Sequence, residues 1–134
     1  MKIRIHPSSS SRGFSLVELL ITLAIIGILA SIAYPGYQNH VRKTNRTEGQ
    51  NTLLEILARQ QNYFSRNMTY TADLTDLGYA TDPLTTAGGL YEITAGACGD
   101  GIATCVELTA TAQGRQTTDG DLTIDSTGRK TGKW

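Results

Sequence analysis

Histidine and cysteine are scarce in this 134-residue chain, two of each, and that scarcity excludes much chemistry. His6 and His40 stand far from each other and from both cysteines, so no zinc ligand set can be read from the spacing. Cys98 and Cys105 bound the loop CGDGIATC, which is not the CxxC spacing of a redox pair. His6 lies in the stretch before the long apolar run and His40 stands alone on a polar helix, so no base–nucleophile pairing can be argued. The closing stretch GRKTGKW has three residues between its glycines, where a phosphate loop needs four, and it lacks the Ser or Thr after the lysine. Asp119, Asp121 and Asp125 could gather oxygens for calcium, but their spacing is not that of an EF-hand, and solvated turn carboxylates are the default reading. Charge of one sign is missing as well, with 12 basic against 12 acidic side chains. The expectation is a chain with no catalytic residues, no metal and no cofactor.

What is present is a long apolar run. From Phe14 to Tyr34 only Ser15, Glu18, Thr22, Ser31 and a few small residues interrupt Leu, Ile and Val. At about 1.5 Å per helical residue the run reaches roughly 30 Å, one hydrocarbon thickness. It is apolar nearly all round, whereas a core helix would carry one stripe. The reading is a membrane segment. Its flanks admit a rival, an exported protein cut at the small-x-small site Ser31-Ile32-Ala33 after a leader bearing Lys2, Arg4 and Arg12. The run is long for a signal peptide, and Glu18 lies inside it. Arg42, Lys43 and Arg46 follow as closely as the leader's basic residues precede, so charge asymmetry does not set orientation.

Glu18 is the anomaly. A carboxylate well inside a membrane helix costs roughly 2.5–3.5 kcal/mol on insertion scales. The stretch GFSLVELL at 13–20, continued as ITLAIIGILASIAYP to Pro35, resembles the N-terminal signature of type IV pilins and pseudopilins. The likeness covers more than twenty consecutive positions, including the Gly, Phe, Glu and Pro. It implies that a prepilin peptidase cuts between Gly13 and Phe14 and methylates the new N-terminus of Phe14. Residues 1–13 are then a cleaved leader, and 14–35 the membrane and assembly half of a long helix. It also implies partners: other pilin subunits, the peptidase–methyltransferase and an inner-membrane assembly platform. The implied location is the inner membrane before assembly, with the head in the periplasm, and an extracellular pilus afterwards.

Filament packing gives Glu18 a physical reason. In a water-poor helix bundle, opposite charges attract strongly, and the carboxylate can face the Phe14 amine of a neighbouring subunit. A matched pair largely offsets the penalty of burying either charge alone, so the pair marks one axial register. The competing reading is a peripheral glutamate that reaches back to the headgroups.

Residues 36–134 read as an α+β head. Pro35 is expected to kink the helix. Beyond it, 37–52 is polar, and then Leu53, Leu57 and Phe64 fall near one stripe of an amphipathic helix over 37–66, with Arg59 and Arg66 off it. Glu55 and Arg59 are spaced for an i,i+4 pair. A connecting loop spans 67–89, with Thr71 or Asp73 capping a short turn, Leu74 and Leu77 inward and Gly78 as its stop. Period-two alternation follows: Tyr91, Ile93 and Ala95; Val106, Leu108, Ala110 and Ala112; Leu122 and Ile124. This predicts an antiparallel meander over 90–126, with its apolar face covered by the Leu53–Phe64 helix and an exposed tail at 127–134. Cys98 and Cys105, in an exported head, are expected to oxidise into a hairpin clip worth about 2–3 kcal/mol.

The head sequences RTEGQNTLLEILARQQNYFSRNMTYTADLTDLGY and VELTATAQGRQTTDGDLTIDSTGRKTG resemble PilE-like minor pilins. Such proteins commonly keep cysteines near the C-terminus. Here the last is Cys105, so their disulfide does not carry over. The implied function is a minor subunit for pilus assembly, serving twitching, adhesion or DNA uptake. A pseudopilin of a type II secretion system is the other reading. Arg129, Lys130, Lys133 and Trp134 form a basic–aromatic tail suited to phosphate contact and stacking. Without Lys2, Arg4 and Arg12, however, nine basic and twelve acidic side chains leave a formal charge of −3, a poor nucleic-acid footprint.

Overall fold

The computed structural model describes residues 13–134. The leader's remaining positions, with Lys2, Arg4, His6 and Arg12, lie outside the described residues. A single helix, α1, covers Leu16–Asn67, and the chain divides into two units, residues 1–38 and 39–134. In the first unit, the apolar positions of α1 from Leu16 to Ile32 are all exposed, and the helix is long and apolar enough to cross a membrane. α1 continues through Pro35, whose ring removes one N–H from the ladder.

The second unit packs α1 on a five-stranded antiparallel sheet in simple chain order. The strands are β1 (Leu84–Thr85), β2 (Tyr91–Ala97), β3 (Val106–Ala112), β4 (Leu122–Asp125) and β5 (Lys130–Thr131). Alternation places Tyr91, Ile93, Val106, Leu108, Ala110, Ala112, Leu122 and Ile124 on one buried face, against Leu53, Ile56 and Leu57 of α1. The helix comes close because Gly49 has no side chain. A Cβ there would meet the Tyr91 ring at 3.0 Å. That approach accounts for a glycine at a helix-interior site, where it costs about 1 kcal/mol relative to alanine.

Phe64 is only partly buried and stacks on Tyr70, with ring centroids 4.6 Å apart. The inward stripe is continued instead by Gln60, which is fully buried. Its amide donates to the Thr71 carbonyl at 2.6 Å and accepts from the Thr71 N–H at 3.1 Å, satisfying the loop backbone where it leaves α1. A 3-10 turn follows at Leu74–Leu77, capped by Asp73, whose carboxylate accepts from the Thr75 N–H at 2.8 Å. Gly78 ends it at φ 89°. Glu55 and Arg59 pair at 2.9 Å, and Tyr79 lies under the Arg59 guanidinium.

Two strands were not expected. β1 lies in the segment read as connecting loop, pairing Leu84 with Ile93 and Thr85 with Glu92. β5 lies in the segment read as exposed tail, pairing with β4. Both are two residues long, too short for an alternation pattern to register.

Candidate functional sites

At the N-terminal end, Gly13, Phe14 and Ser15 precede α1 without regular structure, and Phe14 is 76% exposed. Among the described residues nothing lies within 4 Å of a Cβ placed on Gly13. Glu18 is exposed in the first turn of α1. There the unpaired N–H groups carry partial positive charge and favour a carboxylate by about 0.3–1 kcal/mol. The glutamate therefore has a local reason for its place besides any partner in another subunit. Around it, the large apolar side chains of α1 from Leu16 to Tyr34 are exposed, with no cover among the described residues.

The basic–aromatic tail is built into the sheet edge. The Trp134 indole N–H lies 2.9 Å from the Thr131 carbonyl and 3.1 Å from that of Thr123, bracing β5 on β4. Lys130 sits over one face of the indole, 4.2 Å from its centroid. Arg129 is paired with Asp125 at 3.0 Å. The Asp125 carboxylate, 1% exposed, accepts from the Thr127 hydroxyl, the Arg129 N–H and the Thr127 N–H, which hold it below the usual carboxylate range. Lys133 turns back to Asp119 at 3.4 Å. Each of the four residues grouped as a nucleic-acid contact thus has a partner inside the fold.

Asp119, Asp121 and Asp125 do not converge. Asp121 accepts from the Ala112 N–H at 2.8 Å, and Asp125 closes its own turn. Asp119 takes a two-pronged contact from Arg46, with Nε 2.6 Å from Oδ2. The Arg46 guanidinium, helped by Lys133, outweighs burial and holds the Asp119 carboxyl below its ordinary range. Beside this pair sits Gln116, fully buried. Its amide lies 3.0 Å from Asp119, 3.1 Å from the Tyr91 hydroxyl and 3.1 Å from the Arg42 carbonyl. Arg46 has no local sequence signature, because Asp119 is 73 residues away, and Gln116 joins the nearby Asp119 to Tyr91 and Arg42, which are 25 and 74 residues away.

Along this network opens a cleft of about 320 Å³. Arg42, Lys43 and Arg46 line it from α1, Lys133 from beyond β5, and Asp119 is its one carboxylate. Arg42 donates to the Thr118 hydroxyl at 3.1 Å and to the Asn39 side-chain oxygen at 2.7 Å. Both acceptors are neutral, so its charge is positioned without being cancelled.

Cys98 and Cys105 form the expected disulfide across the β2–β3 hairpin, where the Cys98 N–H also donates to the Cys105 carbonyl at 3.2 Å. Ile102, inside the clipped loop, packs on the core, and its carbonyl accepts from the Tyr70 N–H at 3.3 Å.

Comparison with known proteins gives two family matches. Residues 35–123 match the family described as type IV minor pilin ComP, DNA uptake sequence receptor. Residues 8–34 match the prokaryotic N-terminal methylation motif. Among curated proteins, the chain is 33% identical over 88 residues to the type IV major pilin protein PilA of Myxococcus xanthus, covering 66% of this chain and 40% of that protein. It is 38% identical over 80 residues to the fimbrial protein EcpC of Eikenella corrodens, covering 60% and 50%. The chain thus spans half or less of the length of these relatives. A solved type IV pilin from Shewanella oneidensis shares the fold, with a TM-score of 0.50 at 22% identity over 66% of this chain and 89% of that one. By name these relatives are a type IV major pilin and a fimbrial protein.

Proposed function

Because this chain belongs to the type IV pilin family, we propose that it acts as a minor subunit of a type IV pilus, needed for filament assembly. The methylation motif and the apolar N-terminal helix fit anchoring in the inner membrane, then incorporation into the pilus. The observation that carries the reading is the minor-pilin match over residues 35–123. The uncovered apolar surface of α1 supports it, since helices of other pilin subunits are the natural cover for such a surface outside lipid. On this reading a peptidase cuts after Gly13, Phe14 carries the methylated amine, and Glu18 of one subunit meets the Phe14 amine of another. The assembly platform receives the processed chain from the membrane.

A second reading, reception of DNA, is favoured by the description of the matched family as a DNA uptake sequence receptor. Deleting the gene and scoring surface pili, twitching, exoprotein secretion and DNA uptake separates the readings. Loss of pili and twitching is expected. Loss of secretion alone points to a secretion pseudopilin, and loss of uptake with normal pili to the receptor.

A further inference from the structure

The internal network needs only part of the positive charge around the 39–46 cleft. Asp119 is satisfied by Arg46, Lys133 and Gln116. Arg42 and Lys43 have no carboxylate within ion-pair distance among the described residues. Four cationic groups face one carboxylate, a local formal charge of +3. Like charges kept together without a counter-charge repel, so the cleft is suited to an anion from outside the chain. Its volume of about 320 Å³ accommodates a small polar group rather than an extended chain.

We propose that this cleft binds the phosphodiester headgroup of an anionic phospholipid while the subunit is held in the membrane. The assignment rests on the membrane-anchored location of the pilin. Arg42 and Lys43 come eight and nine residues after Tyr34, where the apolar run ends. At the helical rise of about 1.5 Å per residue, eight residues of sequence measure roughly 12 Å. The headgroup layer extends about 5–8 Å beyond the hydrocarbon, and long basic side chains reach back toward it. Basic clusters beside a membrane segment concentrate anionic lipid, and the tether supplies a high effective concentration. Duplex DNA carries the same phosphodiester, but it spans many charges and meets the whole net-acidic processed chain, whereas one headgroup meets only the cleft.

The test is native mass spectrometry of the full-length chain in a nonionic detergent, titrated with phosphatidylglycerol. Parallel arms use phosphatidylcholine and a short duplex DNA at matched phosphate concentration. Arg42→Gln/Lys43→Gln should weaken phosphatidylglycerol retention about tenfold, and charge-matched Arg59→Gln/Arg66→Gln should leave it unchanged. Phosphatidylcholine should bind no better to the wild type than to either variant. Equal phosphatidylglycerol retention by wild type and Arg42→Gln/Lys43→Gln overturns the proposal, as does equal binding of both lipids. Duplex retained through Arg42 and Lys43 without phosphatidylglycerol retention assigns the cleft to nucleic acid and also overturns it. Failure on any of these grounds leaves the pilin reading standing, because that reading is tested by pilus loss.

Discussion

Two charged residues carry separate expectations, Glu18 and Arg46. Glu18 is exposed in the first turn of α1, where the helix N-terminus favours a carboxylate locally, and in the proposed filament it would meet the Phe14 amine of a neighbouring subunit. Glu18→Ala should therefore leave membrane level and Gly13 cleavage intact, with the processed protein recovered poorly in sheared pili. Wild-type recovery would mean the carboxylate serves only its own helix end. Arg46 is different, because its pairing is internal. Arg46→Gln should cost about 2 kcal/mol, since Asp119 would be left buried with fewer donors. The pH dependence follows in sign. Asp119 and Asp125 are held below their ordinary range in the folded chain, so their stabilisation is full above the unfolded carboxylate range near pH 4 and is lost as pH falls through the depressed values. Thermal melts across pH 2–7 should show this acid limb. In Arg46→Gln it should begin at higher pH, because Asp119 loses the cation that depressed it.

At the scale of the element, legibility tracked distance along the chain. The Leu53–Leu57 stripe and the alternation of β2, β3 and β4 were readable because burial on a helix or strand repeats within a few residues. Asp73 and Gly78 marked their turn for the same reason. The short strands β1 and β5 were not readable, since two residues carry no period. Neither was Gln60, a polar side chain on an apolar stripe whose use depends on Thr71 returning beside it. The candidate site fared similarly. Gly13, Phe14, Glu18 and the cysteines announced themselves by motif or loop, whereas the Arg46–Asp119 pair joins residues with no pattern in common. The bracing of β4 and β5 by the Trp134 indole N–H was not readable either, since it depends on Thr123 and Thr131 lying side by side. The β2–β3 hairpin yields its own expectation. Cys98→Ser should lower the thermal midpoint of the full chain, by an amount matching about 2–3 kcal/mol, without altering membrane insertion. A wild type with free thiols and the same midpoint would remove the clip from the account.

For the whole molecule, the first check is mass. The chain from the membrane fraction should lack residues 1–13 and carry one extra methyl on Phe14, as the methylation-motif match over residues 8–34 supports. Cleavage after Ala33 would instead leave an exported head with no assembly helix. The clipped hairpin has a further consequence, for durability. Asp100, Ala103 and Thr104 are exposed in a loop of small and polar residues, the kind of site that proteases nick first. A cut between Cys98 and Cys105 breaks the backbone but not the molecule, because the disulfide still joins the two pieces. After limited proteolysis, a nicked chain should run at full length on a non-reducing gel and separate into two fragments once reductant is added. On a cell surface washed by foreign proteases, a subunit cut in this loop would stay in one piece.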